Sequence, residues 1–148
     1  TRYMARLLRL GCAAAALRLD GHLPSAALNL AVIAYKGKRY AEAEELLNRC
    51  LTGDPMNQEA LLYLANTQLL LGESEAALST ARRLHNLDHA DYTIVHVIAA
   101  QALVNLKRPD QAAAEYQLYL QESPAGPAAA RARAGLQALQ SPIPPEAR

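Results

Sequence analysis

One pattern of residues recurs three times along the chain, at a spacing of 34 or 35 positions. An alanine recurs in this register in each unit. A pair made of Leu or Ala followed by a small residue also recurs, as does a residue that ends the unit. These positions are Ala43, Ala77 and Ala112, the pairs Leu30-Ala31, Leu64-Ala65 and Ala99-Ala100, and Pro55, His89 and Pro124. Repetition at this period indicates an array of stacked units, in which each unit buries its free face against the next.

Each unit is predicted to contain two helices. Apolar residues recur at helical spacing, as with Leu61 and Leu64 in the middle unit. A break follows at Gly37 in the first unit, at Gly72 in the second and at Pro109 in the third, because glycine breaks a helix and proline suits the first turn of a new one. The apolar half of the composition is mostly Ala and Leu, with no Phe or Trp, which favours helices over strands.

These features resemble the tetratricopeptide repeat, a helix–turn–helix of 34 residues with a Leu-small pair, a Gly-x-Tyr turn, a key Ala and a terminal Pro. The matching residues are Leu30-Ala31, Tyr40, Ala43, Leu47 and Pro55 in the first unit, and Leu61, Leu64-Ala65, Gly72, Ala77 and Leu84 in the second. The third unit departs from the pattern, because Tyr119 replaces an Ala, and Lys107 and Pro109 replace the turn Gly and Tyr. The resemblance implies an all-α fold, a right-handed superhelical array of antiparallel helix pairs, with repeats at 24–57, 58–92 and 93–126.

The two ends are expected to continue this scheme. Residues 1–23 resemble the second helix of an incomplete upstream repeat, with the helix itself at 2–20. Residues 127–140 are predicted to form a capping helix over the last apolar face, and residues 141–148 a Pro-rich extended tail. The chain is therefore expected to be a fragment of a larger protein. Self-association through the N-terminal helix or through the tail, with Ile143 as its apolar residue, is left open.

Charge argues against nucleic acid as the partner. The chain carries 15 basic and 14 acidic side chains, and its basic stretches are short, whereas a nucleic-acid binder shows a basic stripe that contacts phosphates. No apolar run in the sequence approaches the ~20 residues of a membrane span. The sequence assigns no compartment.

The sequence shows no motif for a catalytic nucleophile or a phosphate-binding loop, so we predict no enzyme activity and no cofactor. The spacing of His85 and His89 would suit two metal ligands, but two ligands without a third make no site. We therefore predict a solvated helix end there, a core or half-buried position for His96, and no metal.

The resemblance places the ligand-binding surface on the first helix of each unit, which lines the concave face of the array. The groove positions carried over to this chain are Leu28, Val32, Tyr35 and Lys36 in the first unit, Leu62, Asn66, Leu69 and Leu70 in the second, and Val97, Gln101, Val104 and Asn105 in the third. Family members that grip the C-terminal carboxylate of chaperones use a clamp of Lys, Asn and Arg. Here Leu28 and Ile94 stand where Lys would, so a chaperone-tail receptor is not expected.

The sequence thus predicts a non-catalytic protein–protein interaction module that binds a peptide or helix of a partner in its concave groove. Two alternatives stay open at this stage. One is an RNA-binding helical-repeat domain, as in the related pentatricopeptide arrays. The other is an accessory domain of an enzyme or assembly complex, including a metal-binding one.

Overall fold

The computed structural model describes residues 24–141, which form seven α-helices and one short 3-10 helix, with no β-strand among them. The helices are α1 (Pro24–Lys36), α2 (Tyr40–Gly53), α3 (Gln58–Leu70), α4 (Ser74–His85), α5 (Val95–Asn105), α6 (Pro109–Glu122) and α7 (Ala129–Gln140), and the 3-10 helix Ala90–Tyr92 precedes α5. The predicted all-α helical array is confirmed for this part of the chain. The helix expected at 2–20, and the whole predicted tail except Ser141, lie outside the described residues.

The two helices of each pair are joined by three residues that follow the same path each time. The N–H of Arg39 donates to the Ala34 carbonyl at 2.9 Å, and the same bond recurs from Glu73 to Gln68 at 2.8 Å and from Arg108 to Leu103 at 2.9 Å. This six-to-one bond defines the Schellman motif. The residue just before the N–H donor takes a left-handed conformation in that motif. Such short connections make the paired helices antiparallel.

The left-handed residue of each turn is glycine in only one of the three pairs. Gly72 has φ of 81°, whereas the equivalent positions hold Lys38 with φ of 59° and Lys107 with φ of 58°. The first break lies at Gly37, as predicted, and the left-handed residue of that turn is the following one, Lys38. A non-glycine residue there costs about 1–2 kcal/mol, which the packing of the pair must offset.

The helices pack in chain order. The pairs are α1–α2, α3–α4 and α5–α6, and the second helix of each pair also packs against the first helix of the next. The three register alanines, Ala43, Ala77 and Ala112, are fully buried. One continuous apolar core runs through all three pairs.

A second core cluster joins α7 to the third pair. Tyr116 and Tyr119 of α6 pack there with Ala128 and Ala132 at the start of α7. The Tyr119 hydroxyl accepts a hydrogen bond of 3.0 Å from the Ala128 N–H, which fixes where α7 begins. In residues 24–141 no helix is both long and apolar enough to cross a membrane.

Candidate functional site

The first helices α1, α3 and α5 lie beside one another and carry the residues predicted to line the groove. Most of these side chains have surface available to a ligand. Half-buried ones are Leu28, Val32, Tyr35, Leu62, Asn66, Leu69, Gln101 and Val104, and exposed ones are Lys36, Leu70 and Asn105. The role of this surface in binding stays a prediction.

Val97 differs from the other groove positions because it has no exposed surface. It belongs to the core cluster that contains Tyr116 of α6 and Ala128 and Ala129 of the α7 segment. The register made Val97 equivalent to Leu28 and Leu62, which are only partly buried. Its placement in the groove is therefore corrected: α7 and α6 close over this position, and Val97 is a core residue.

Hydrogen-bonding groups on this face are centred on Tyr35. The Asn66 side-chain amide of α3 donates to the Tyr35 hydroxyl of α1, linking the two first helices. The Tyr35 ring packs edge-on against Tyr40 and Tyr63, with ring centroids 5.7 and 5.2 Å apart. Burial raises the pKa of Tyr35, and Tyr40 acts in the same direction, while the bond from Asn66 opposes them. The neutral hydroxyl accepts from Asn66 and can donate its own proton to a ligand.

A second pair of amides lies on α5. The Gln101 amide donates to the Asn105 side-chain oxygen at 3.4 Å, and the Asn105 amide donates to the Ser74 hydroxyl at 3.3 Å. Both bonds are longer than the usual 2.7–3.2 Å, so they are weak. The last turn of α3 adds two apolar residues, the half-buried Leu69 and the exposed Leu70.

The three described histidines come together at a different place, where the second pair meets the third. His85 is the last residue of α4, His89 follows in the connecting loop, and His96 lies in the first turn of α5. One ring nitrogen from each lies within 4.8 Å of the others. His85 is exposed, as the predicted solvated helix end requires, whereas His89 is half-buried. His96 is 1% exposed, in agreement with the core or half-buried position predicted for it.

Sequence spacing alone did not reveal this cluster. His85 and His89 are four residues apart, but the third member comes from the next unit. The repeat itself could have indicated the cluster. In such an array the second helix of one unit packs against the first helix of the next, which brings His85 and His89 near His96. The pKa of His89 lies above its ordinary value: burial acts to lower it, but hydrogen bonds with the Leu87 carbonyl and the Glu122 carboxylate outweigh that effect.

The family comparison agrees with the repeat geometry. Residues 34–96 match the model of the family described as tetratricopeptide repeat. The match and the three equivalent helix pairs together show a fold of the tetratricopeptide-repeat type. No curated protein is similar to the chain in sequence.

Solved structures share the fold at low sequence identity. The structure of MamA superposes with a TM-score of 0.79 at 18% identity, covering 86% of this chain and 72% of that one. The type III secretion chaperone SycD of Yersinia enterocolitica, in complex with a peptide of the translocator YopD, gives 0.73 at 17% identity and covers 77% and 89%. The first TPR of Spaghetti, bound to an HSP90 peptide, gives 0.72 at 22% identity and covers 80% and 94%. At these identities the likeness shows the fold.

Proposed function

We propose that this domain is a non-catalytic protein-interaction module that binds a peptide or helix of a partner protein on the face formed by α1, α3 and α5. The observation that carries the proposal is the surface of that face. It combines half-buried and exposed apolar side chains with amides and a phenol that can bond to a peptide backbone. Ligand sites that hold peptides commonly combine these two features.

Two of the structurally similar proteins were solved with peptides, SycD with a peptide of YopD and the Spaghetti domain with an HSP90 peptide. Both have the fold of this chain, so a fold of this kind can present a peptide-binding surface. Their low identity to this chain leaves the ligand to be inferred from its own surface.

The chemistry of the surface favours an apolar segment over an acidic one. Lys36 is the one cation among the predicted groove positions, whereas Val32, Leu69, Leu70 and Val104 are apolar. Leu70 is 50% exposed, so a ligand would remove a large apolar area from water there. Affinity would then come from buried area and from backbone hydrogen bonds, and an acidic tail would gain little.

A peptide titration tests this proposal. Fluorescently labelled peptides of equal length, one set apolar and helix-forming, one apolar and extended, and one acidic, would be titrated with the domain and followed by anisotropy. We expect saturable binding of an apolar set and weaker binding of the acidic set. Leu70→Glu should weaken apolar binding about tenfold, since it removes roughly 1.4 kcal/mol of apolar burial.

Leu118→Glu is the matched control. Leu118 is 37% exposed on α6, a second helix, and is outside the proposed surface, so binding should not change. Equal losses for the two variants, or tighter binding of the acidic set, would show that the surface is wrongly assigned. Salt-sensitive binding of single-stranded RNA, tighter than that of any peptide, would instead favour the nucleic-acid alternative.

A further inference from the structure

We propose that His85, His89 and His96, together with the Glu122 carboxylate, form a binding site for one divalent transition-metal ion of the zinc class. The site joins the second helix pair to the third. Along α5, His96 lies ~8 Å from Gln101 and ~12 Å from Val104, two residues of that helix that line the proposed peptide surface.

The hydrogen bonds of His96 prepare one of its nitrogens to be a ligand. Its Nδ1 lies 2.8 Å from Glu115 Oε2, so the ring donates its Nδ1 proton to that carboxylate. In the neutral ring this leaves a lone pair on Nε2. A carboxylate that holds the second nitrogen in this way also fixes the orientation of the ring, as in many zinc sites.

His89 is held in the same manner. Its Nδ1 lies 3.1 Å from the Leu87 carbonyl oxygen, to which only a protonated nitrogen can donate. Its Nε2 therefore carries the lone pair in the neutral ring. The two Nε2 atoms both face Glu122: that of His89 is 3.3 Å from Oε1, and that of His96 is 3.1 Å from Oε2.

In the neutral rings two lone pairs would face one carboxylate, so either protons or a metal ion must lie between them. The His96 Nε2 atom is buried and has no hydrogen bond of acceptable geometry, although the Glu122 oxygen is close to it. A metal ion bound by both nitrogens and the carboxylate would satisfy all three acceptors. His85 supplies a third imidazole, because its ring centroid is 4.7 Å from that of His89 and 5.0 Å from that of His96.

The ligand types and their spacing fit zinc best. Imidazole nitrogens and a carboxylate oxygen are zinc ligands, and the three residues between His85 and His89 match a common spacing in zinc sites. Ligand atoms of a tetrahedral zinc ion are about 3.3 Å apart. The ring nitrogens of the three histidines lie within 4.8 Å of one another, so the rings must move closer together to bind the ion. The exposed His85 ring can rotate to do so.

The site also has a path to solvent. A cleft of about 470 Å³ opens beside it and is lined by His89 and Glu122, with Leu87, Asp88, Ala90 and Thr93 completing the wall. An ion could therefore enter without unfolding the array, which a binding site requires.

Zinc titration of the untagged chain tests the proposal. The protein would be freed of metal with a chelator and titrated with Zn²⁺ in competition with a chromophoric chelator. We expect one ion per chain, a rise in the melting temperature on adding zinc, and a visible spectrum with Co²⁺ typical of four-coordinate nitrogen and oxygen ligation. His85→Ala should weaken zinc binding by at least about tenfold and remove the zinc-dependent rise in melting temperature.

His85 is exposed, so this variant should fold like the parent, which circular dichroism would verify. Glu122→Gln should also weaken zinc binding, and Glu45→Gln, which changes an exposed carboxylate on α2, should leave it unchanged. The proposal is overturned if no saturable zinc binding is seen, because a proton would then be the cation between the rings. It is equally overturned if His85→Ala binds zinc as tightly as the parent protein.

Discussion

Ala43 shows how a single small side chain permits the helix pairing. It has no exposed surface, and its counterparts Ala77 and Ala112 are equally buried in the other two pairs. Interiors packed at this density have no room for three further carbon atoms. The repeat therefore requires a methyl group at this position for geometric reasons.

Ala43→Leu should lower the free energy of unfolding by roughly 1–3 kcal/mol, because the larger side chain overpacks the first helix pair. Urea denaturation followed by circular dichroism would measure the change. Ala41→Leu on the same helix is the matched control, since Ala41 is exposed and the substitution should change stability by less than about 0.5 kcal/mol. Equal effects for the two variants would contradict the packing argument.

For single residues, the sequence predicted burial where it follows from the position in the repeat. It did not predict burial that depends on a neighbouring segment outside the unit. The burial of Ala43 and of His96 follows from their places in the unit. Val97 shares its register with Leu28 and Leu62, yet it is buried because the segment that leads into α7 covers it. The register makes these three residues equivalent and does not show how deeply the segment after each unit buries them.

At the level of elements, α7 is held against α6 by a close contact at Gly135. A Cβ atom built on Gly135 would come within 2.5 Å of Cζ and 2.6 Å of Cε2 of the Tyr116 ring. Tyr116 is 3% exposed and has little space into which to move. Glycine at this position therefore lets the two helices approach closely.

Gly135→Ala should destabilise the domain by about 1 kcal/mol net, because overpacking costs roughly 1–3 kcal/mol and better helix propensity returns roughly 0.5–1 kcal/mol. Thermal or urea unfolding would give the value. Ala134→Gly, at the exposed neighbouring position, measures the propensity contribution by itself. The opposite result is that Gly135→Ala stabilises the protein by the same amount that Ala134→Gly destabilises it. Helix propensity alone would then explain both changes, and the proposed close contact with Tyr116 would be contradicted.

The helices and their breaks were largely predictable because helical periodicity and turn residues are local signals. The left-handed turn residues were not predictable from such local signals. Lys38 and Lys107 take left-handed conformations that lysine disfavours, and only their equivalence to Gly72 explains them. The packing of each helix pair fixes the turn, so Lys38 and Lys107 adopt the same left-handed conformation as Gly72.

At the level of the whole molecule, stacking creates sites that no single unit contains. The hydrogen bond from Asn66 to Tyr35 joins the first helices of two pairs, and the histidine cluster joins His85 and His89 of one pair to His96 of the next. The sequence predicted the first surface through the family resemblance. The histidine cluster was not predicted because its members belong to two different units, and only the packing of those units brings them together.

The most direct test of the account is to find which helices contact a bound peptide. Amide chemical shifts of the ¹⁵N-labelled domain would be recorded during titration with the apolar peptide that binds most tightly. Perturbations concentrated on α1, α3 and α5, with the largest at Tyr35, Asn66 and Leu70, are the result we expect. Perturbations concentrated on α2, α4 and α6, with the first helices unchanged, would contradict the proposed binding surface.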